Sequence, residues 1–317
     1  MQIIQKDFIF NEPLPTPQCH ASTIVVFENG NAIAAWFGGT KESHPDVRIW
    51  YSRYENGIWC TPTAIPSEEV VPHWNPVLFQ TDDKMVTLYY KKGFKIPDWK
   101  TMVVTSADFG KTWSAPRELV QNDTSGGRGP VKNKPIALAD GTILAPASTE
   151  QGSWRCFIDT FDGHMWCKHP IPVNSEDENL VQLIQPAIWQ SAEDCVHVLM
   201  RSANGSIYRS DSCDGSKNWC TAYPIPIPNN NSGIDCAVCN GKLVLVCNPV
   251  RENWGKRSPL TVFISEDNGT TFQKLLDLET EPGEYSYPAI VSHGNYVYIT
   301  YTYQRTKIAF CKLQINS

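Results

Sequence analysis

Side chains that could transfer protons or bind an anion recur beside the apolar runs of this chain. One set stands at the start of a run: His20, His73, Asn75, Lys132, Lys134, Gln185, Asp235, Tyr285 and Tyr287. A second set stands between two successive runs: Asp46, Lys91, Lys92, Glu150, Arg155, Arg201, Arg251, Arg257 and Arg305. Carboxyl, imidazole and phenol groups can act as acids or bases, and cationic groups can hold a carboxylate. If the fold brings the two sets together, their many cations favour an anionic ligand.

The elements that would position these residues form an internal repeat of about 40–50 residues, a period typical of repeat architectures. Each copy contains an apolar strand, a turn with Asn, Asp or Gly, a second apolar strand, and a third strand that ends in a turn with an aromatic residue. Six copies contain in turn the segments ASTIVVF, NPVLFQ, KPIALAD, QPAIWQ, CAVCNGK and YPAIVS. Helical spacing of apolar residues is nearly absent.

Four-stranded units that repeat at this period are typical of β-propeller blades. The sixth copy lacks its last strand, which the N-terminal segment IIQKDFIF could supply. We therefore predict an all-β, six-bladed β-propeller, with residues 1–317 as a single domain and the N-terminal strand closing the last blade. A stacked solenoid or a β-sandwich is the alternative, but a sandwich has no reason to repeat a turn motif. Because strands alternate in direction within a blade, both sets of polar residues should lie on one rim.

The repeated turn has the pattern Ser-x-Asp-x-Gly-x-Thr-Trp. It is complete at residues 106–113, and it recurs with Phe in place of Trp at residues 265–272. Ser and Asp side chains satisfy backbone N–H groups in tight turns, and Gly adopts a positive φ without strain. We therefore predict that Asp108 and Asp267 form turns and do not take part in catalysis.

The chain resembles the sialidase (neuraminidase) superfamily, whose propeller blades carry this turn motif, the Asp box or BNR repeat. The resemblance covers nearly the full chain, and it implies a glycoside hydrolase that removes a terminal acidic sugar, such as sialic acid, from a glycan. Sialidases hold the substrate carboxylate with three arginines. The contexts MRS and RSPLTVFIS imply that Arg201 and Arg257 are two of them, and a guanidinium fork suits a carboxylate.

The resemblance also implies catalytic residues. The segment HPDVRIW places Asp46 where sialidases carry their acid/base Asp, and GEYSYPAI places Tyr287 at their nucleophilic Tyr, with Tyr285 two residues away on the same strand face. A phenol needs a nearby carboxylate to act as a nucleophile. Gln185 stands where sialidases carry this Glu, so the carboxylate is either absent or displaced to Glu150.

The chain departs from sialidases at their first arginine, because the stretch equivalent to their Arg-Ile-Pro motif reads CHAST. The candidate catalytic residues are thus Asp46, Tyr287, Tyr285, His20 and Glu150. The candidate substrate-binding residues are Arg201, Arg257, His73, Gln185, Lys134 and Arg155.

Two further functions stay open. A polysaccharide lyase that acts on a uronate-containing glycan needs a base and cations, which His20, His73, Tyr285, Lys134 and the arginines could supply. A non-catalytic glycan-binding propeller could use aromatic platforms, for which the candidates are Trp36, Trp74, Trp99 and Trp154.

Composition restricts the partners. The chain carries 27 basic and 33 acidic side chains, a net charge of −6, which disfavours a nucleic-acid partner. No apolar stretch approaches the roughly 18 residues that span a membrane. The N-terminus lacks the pattern of a secretory signal, and the 11 cysteines are odd in number, so we expect reduced thiols and a cytoplasmic protein. We expect no cofactor and no metal, since the C-x-x-C of Cys236 and Cys239 has no second pair at zinc spacing. The expected partner is an acidic oligosaccharide or glycoconjugate.

Overall fold

The computed structural model of the protein describes residues 2–12, 14–81, 85–125, 127–150, 152–174 and 180–316. The strands of these residues form six antiparallel sheets, five with four strands and one with five. The sheets follow one another along the chain as the blades of a β-propeller. The prediction of an all-β, six-bladed propeller is confirmed.

The blades have the following strands, named in chain order. Blade 1 contains β2 (Gln18–Val26), β3 (Ala32–Gly39), β4 (Arg48–Glu55), β5 (Ile58–Trp59) and β6 (Thr63–Ala64). Blade 2 contains β7 (His73–Gln80), β8 (Val86–Lys92), β9 (Lys100–Ser106) and β10 (Arg117–Glu118), with a short 3-10 helix, Ile96–Asp98, before β9. Blade 3 contains β11 (Ile136–Ala137), β12 (Ile143–Thr149), β13 (Arg155–Phe161) and β14 (Trp166–Pro170).

The second half of the ring follows the same plan. Blade 4 contains β15 (Leu183–Ala192), β16 (Cys195–Ser202), β17 (Ser206–Ser212) and β18 (Tyr223–Pro228). Blade 5 contains β19 (Asp235–Cys239), β20 (Lys242–Cys247), β21 (Leu260–Ser265) and β22 (Gln273–Glu279). Blade 6 contains β23 (Tyr285–His293), β24 (Tyr296–Tyr303), β25 (Lys307–Gln314) and the N-terminal β1 (Gln2–Phe8).

The N-terminal strand closes the ring. β1 is the outer strand of blade 6 and pairs antiparallel with β25, from Gln2 opposite Gln314 to Phe8 opposite Ala309. This is the strand that the sixth sequence repeat lacks, so the predicted closure is confirmed. Pairing the two ends of the chain in one sheet removes an edge of β25 that would otherwise be open to pairing with another chain.

Apolar side chains of neighbouring blades pack against each other and form the core. Between blades 1 and 2, for example, the fully buried Ile33 and Ile49 share one cluster with Leu78 and Leu88. Each such burial stabilises the fold by about 1.5–3 kcal/mol. The core therefore lies between the blades, and the strand ends are free to carry polar side chains.

Trp36 belongs to this core. Its side chain is fully buried, and its ring stacks on that of Phe10 with the centroids 5.0 Å apart. No glycan can reach it there, so the suggestion that Trp36 is a sugar platform is wrong.

The Asp boxes form tight turns. The Asp108 carboxylate accepts a hydrogen bond from the backbone N–H of Thr112 at 2.9 Å, and that of Asp267 accepts one from Thr271 at 2.8 Å. Hydrogen bonds from these threonines hold the pKa of both carboxyl groups at about 2. The prediction that the two Asp residues are turn formers is confirmed.

A bulge interrupts the inner strands of four blades close to the central channel. The register shifts after His20, Trp74, Ile184 and Ser286, and the next residue in each case has a positive φ, between 42° and 54°. Such backbone is uncommon for residues other than Gly, and bulges redirect side chains next to functional sites. Three of these residues with positive φ, Asn75, Gln185 and Tyr287, line the cavity described below.

Candidate active site

A cavity of about 240 Å³ opens at the rim where the inner strands begin. Its wall contains residues of both polar sets that the sequence repeat places on one rim. The candidate residues that it brings together are His20, Glu150, Gln185, Arg201, Arg257 and Tyr287. The cavity therefore combines cations, an acid, an imidazole and a phenol in one place.

Arg201 is bound to the base of this cavity by three hydrogen bonds. Its Nη1 donates to the Tyr287 hydroxyl oxygen at 2.7 Å and to Gln185 Oε1 at 2.9 Å, and its Nε donates to Asn231 Oδ1 at 2.8 Å. The residue is 2% exposed. A guanidinium group held in this way needs little reorganisation to bind a ligand carboxylate.

Two more guanidinium groups stand beside it. Arg257 Nη1 donates to Glu284 Oε1 at 2.7 Å, and Arg305 Nε donates to the same oxygen at 2.8 Å. One carboxylate thus orients both groups, and both arginines line the cavity. Arg305 was placed on the rim by the sequence repeat but received no role there. With Arg201 and Arg257, it gives the cavity wall three guanidinium groups.

Glu42 is the acidic group closest to this third arginine. It lies in the loop between β3 and β4, lines the cavity, and forms an ion pair with Arg305 Nη1 across the junction of blades 1 and 6. Nothing in the sequence distinguished it from the other charged residues of that loop.

Tyr287 and His20 lie side by side. Their ring centroids are 4.3 Å apart, and the Arg201 and Arg257 guanidinium carbons each lie 5.7 Å from the Tyr287 ring. Burial lowers the pKa of His20 well below its ordinary value, and the nearby charges of Arg305, Arg257 and other cations lower it further. The imidazole is therefore neutral at pH 7, and its Nδ1 has no hydrogen-bond partner in the described part of the chain.

Glu150 is the candidate carboxyl group that lines the cavity. Burial raises its pKa above the ordinary value, although the charge of Arg201 opposes this shift. A raised pKa keeps a larger fraction of the carboxyl group protonated at neutral pH, which a proton donor requires.

Asp46 lies in the Glu42 loop but outside this cavity wall. Its carboxylate accepts hydrogen bonds from the Thr40 backbone N–H at 3.0 Å and from Thr40 Oγ1 at 2.6 Å, and it pairs with His44 Nδ1 at 2.7 Å. Burial acts to raise its pKa, but these hydrogen bonds outweigh it and lower the pKa. The arrangement is that of a carboxylate that holds a loop in shape.

Tyr285 does not accompany Tyr287 into the cavity. It is 2% exposed in the core between blades 5 and 6, and its hydroxyl accepts a hydrogen bond from Gln304 at 3.1 Å. The expectation that the two tyrosines share one strand face is wrong, because the bulge at Tyr287 reverses the alternation of side chains between them.

Three other candidates also lie outside the cavity wall. His73 is fully buried against the Tyr90 ring, with the centroids 4.8 Å apart. Lys134 forms an ion pair with Asp235 at 3.0 Å, and Arg155 donates to the backbone carbonyl oxygens of neighbouring loops. The charged groups of Lys134 and Arg155 are thus used within the protein, and the cavity wall includes none of the three residues.

Tryptophans form the upper walls. Trp74, Trp99 and Trp154 line the cavity. The fourth, Trp254, was not singled out by the sequence; it is 63% exposed, with a φ of 57°, and its ring lies 6.4 Å from that of Trp154 at an interplanar angle of 89°. Its loop lies outside the repeated segments, which is why the repeat pattern did not reveal it.

Lys132 lies buried beside the site, with its Nζ 5.9 Å from the centre of the Tyr287 ring. Its fully buried ammonium group donates to Asn133 Oδ1 at 2.8 Å and to the carbonyl oxygens of Ile234 at 2.7 Å and Pro288 at 2.5 Å. Burial lowers its pKa to about 7. These bonds connect the start of blade 3 to blades 5 and 6 next to the cavity.

Other kinds of site have little support in the described residues. No group of three or more His, Cys, Asp or Glu side chains there could hold a metal ion. No helix among them has the length and apolar character to cross a membrane. All 11 cysteines are unpaired, and Cys236 and Cys239 are buried.

The fold resembles those of several solved proteins at low sequence identity. A protein of unknown function from Dyadobacter fermentans is 16% identical, with a TM-score of 0.79 and 99% of each chain covered. A Hadza microbial sialidase is 16% identical, with a TM-score of 0.76 over 94% of this chain and 66% of that one. The intramolecular trans-sialidase from Ruminococcus gnavus is 12% identical, with a TM-score of 0.73 over 99% and 98%. Identities this low show the fold alone.

Sequence comparison gives the family. No curated protein sequence matches the chain significantly. The model of the BNR repeat-like domain matches residues 30–299, which is most of the chain and includes strands of all six blades. The chain therefore belongs to the family of BNR repeat-like domains, and its fold is a sialidase-like β-propeller.

Proposed function

We propose that the protein is an exo-acting glycoside hydrolase that removes a terminal acidic sugar from glycans. The observation that carries this proposal is that Arg201, Arg257 and Arg305 all line one cavity, in which Arg201 contacts the Tyr287 hydroxyl. Guanidinium groups bind carboxylates by paired, charge-assisted hydrogen bonds. The sialidase-like fold supports the same class of chemistry.

In this proposal Tyr287 is the nucleophile. Its oxygen bonds to the anomeric carbon as the glycosidic bond breaks, and water later releases the sugar from the enzyme. The hydrogen bond from Arg201 Nη1 holds the phenol oxygen in place and stabilises negative charge on it.

The proton transfers need a donor and an acceptor. Glu150 is the donor to the leaving oxygen, since it lines the cavity and burial raises its pKa. Gln185 cannot take the phenol proton, because an amide oxygen is a poor base and this one accepts a hydrogen bond from Arg201. The neutral imidazole of His20, whose ring lies beside that of Tyr287, is the acceptor that we propose.

The proposal is tested by assaying the wild-type protein and the Tyr287→Phe variant in parallel. Each protein is given fluorogenic sialosides and uronate-containing oligosaccharides as substrates. We expect the wild-type protein to release an acidic sugar without new near-ultraviolet absorption, and Tyr287→Phe to form no covalent sugar–enzyme adduct. If no acidic sugar is released from any of these substrates, the hydrolase proposal is wrong.

A lyase is the second candidate, favoured by the neutral His20 beside Tyr287 and by the lack of a described carboxylate that contacts this hydroxyl. A base would remove the proton next to a uronate carboxylate, and the arginines would stabilise the enolate-like intermediate. The product would carry a double bond that absorbs in the near ultraviolet. In this case His20→Ala is the most damaging variant, and no adduct forms on Tyr287.

A further inference from the structure

We propose that Ser191, His197 and Asp211 form a second catalytic site, a triad that hydrolyses short-chain acyl esters. The three residues lie in blade 4, and none of them lines the cavity described above. Ser191 stands near the end of β15, whereas Gln185 stands near its start. The triad therefore lies at the opposite rim of the propeller from the arginine cavity.

The distances are those of a nucleophile, a base and a group that orients the base. Ser191 Oγ lies 2.7 Å from His197 Nε2, and His197 Nδ1 lies 2.6 Å from Asp211 Oδ1. Hydrogen bonds in this order recur in serine hydrolases of unrelated folds, where the triad is recognised by geometry and not by position in the sequence.

The sheet explains why these side chains meet. His197 of β16 and Asp211 of β17 are directly opposite each other in the antiparallel register. The register of β15 shifts between Gln190 and Ala192, so that Ser191 is the extra residue of a bulge next to His197. Bulges of this kind redirect single side chains beside functional sites.

The surroundings hold the imidazole in the tautomer that a base requires. Burial acts to raise the pKa of Asp211, but hydrogen bonds from His197, Tyr223 and Arg209 outweigh it and lower the pKa to about 2. The ionised carboxylate can only accept, so Nδ1 of His197 donates to it. Arg209 Nη2, at 3.3 Å from Nδ1, is then a close contact between two donors and not a hydrogen bond.

Asn268 fixes the other ring nitrogen. Its Oδ1 accepts a hydrogen bond from Trp189 Nε1 at 2.8 Å, which turns its Nδ2 towards His197 Nε2 at 3.0 Å. Nε2 is therefore an acceptor, and its lone pair is shared between the Asn268 amide and the closer Ser191 hydroxyl, from which it can take the proton. The Asn268 amide and Ser191 Oγ both lie within hydrogen-bond distance of this nitrogen, so a donor stands next to the nucleophile. An amide N–H in this place can stabilise the oxyanion that forms on the ester carbonyl.

The reaction balances with water as the only co-reactant. Ser191 Oγ attacks the ester carbonyl carbon while His197 takes its proton, and the ester C–O bond then breaks as His197 protonates the leaving alcohol. Water attacks the acyl-serine by the same route and releases the carboxylic acid. Because Ser191 is exposed at a strand end, we assign the substrate as a short acyl group, such as acetyl, that projects from a sugar or another alcohol.

The test uses p-nitrophenyl acetate and a fluorophosphonate probe with the full-length protein. We expect wild-type hydrolysis above the buffer rate, and labelling of the peptide that contains Ser191. Ser191→Ala should abolish the label and lower the rate by at least about 100-fold, the lower end of what a positioned acid–base pair contributes. Ser292→Ala is the matched control, because Ser292 is an exposed serine near the same end of β23 in blade 6; it should behave as the wild-type protein.

A wild-type protein that neither hydrolyses the ester nor reacts with the probe overturns the proposal, as does a Ser191→Ala variant with full activity. Because Ser191 is exposed, its replacement is not expected to unfold the protein, which circular dichroism checks. Sugar release from acidic glycans is assayed in parallel. Ser191→Ala should retain it, and Tyr287→Phe should retain ester hydrolysis, so the two proposals can fail separately.

Discussion

Arg201 donates a hydrogen bond from Nη1 to the hydroxyl oxygen of Tyr287 at 2.7 Å. The candidate nucleophile is thus held by a residue that is also a candidate ligand for the substrate carboxylate. When a carboxylate binds to Arg201, it contacts the same guanidinium group that positions the phenol. Substrate binding and nucleophile position are therefore coupled in this cavity.

Arg201→Lys should damage this coupling although the charge is kept. The ammonium group lacks the planar fork, and each lost charged hydrogen bond costs about 1.5–3 kcal/mol. We expect kcat/KM on an acidic substrate to fall at least about 10-fold, since about 1.4 kcal/mol corresponds to a factor of ten. Arg155→Lys is the control, because Arg155 lies outside the cavity wall; equal kinetics of the two variants would contradict the assignment of Arg201.

Replacing Glu150 and replacing Asp46 should have different effects on proton donation to the leaving group. Glu150→Gln should slow the cleavage of glycosides with basic leaving groups far more than that of activated aryl glycosides, which need no acid. Asp46→Asn should show no such selectivity, because its carboxylate is bound to Thr40 and His44. The comparison of the two substrate classes in both variants decides between them, and selectivity in Asp46→Asn alone would restore the role implied by the resemblance.

The raised pKa of Glu150 predicts a pH profile. A group that acts in its protonated form supports activity below its pKa, and activity falls as the pH rises through it. Because burial raises the pKa of Glu150, the alkaline decline should lie at higher pH than for an ordinary glutamic acid. The pH dependence of kcat/KM measures it, and Glu150→Gln should remove this decline. An unchanged profile in that variant would mean that another group limits the rate.

The architecture could be predicted from the sequence because each blade repeats the same local signals. The Asp boxes around Asp108 and Asp267 form where their turn residues require, and the missing last strand of the sixth repeat pointed to β1. These signals are local in the sequence, and each of the six copies shows them again. The number and type of blades can therefore be predicted from the repeat pattern.

The content of the cavity was less predictable, since it depends on the directions of single side chains. The loop between β3 and β4 carries both Glu42 and Asp46, and spacing does not tell which carboxylate faces the arginines. Hydrogen bonds to Thr40 hold Asp46 away. The bulge at Tyr287, likewise, leaves no mark in the alternation of residues, yet it separates Tyr287 from Tyr285.

Replacement of Phe10 tests whether the N-terminal segment stabilises the closed ring. It follows β1, is 6% exposed, and stacks on the fully buried Trp36. Phe10→Ala should lower the free energy of unfolding by about 3–5 kcal/mol, because a large buried ring leaves a cavity. Chemical denaturation measures it, with Phe94→Ala as the control, since Phe94 is 57% exposed and its loss should change stability by no more than about 0.5 kcal/mol. Similar losses in both variants would show that the N-terminal segment does not stabilise the ring.

Glu42 should weaken the binding of acidic ligands. Its carboxylate occupies Arg305 Nη1, a group that a ligand carboxylate would use, so a ligand has to displace it. Glu42→Gln removes the competing charge. An ion pair with one exposed partner contributes about 0.2–1 kcal/mol, so we expect the Kd of an acidic sugar to fall by up to about 5-fold. Titration calorimetry measures this change, with Glu28→Gln as the control, because Glu28 is exposed and outside the cavity wall. Weaker binding in Glu42→Gln would give Glu42 the opposite role, that of holding Arg305 in its binding position.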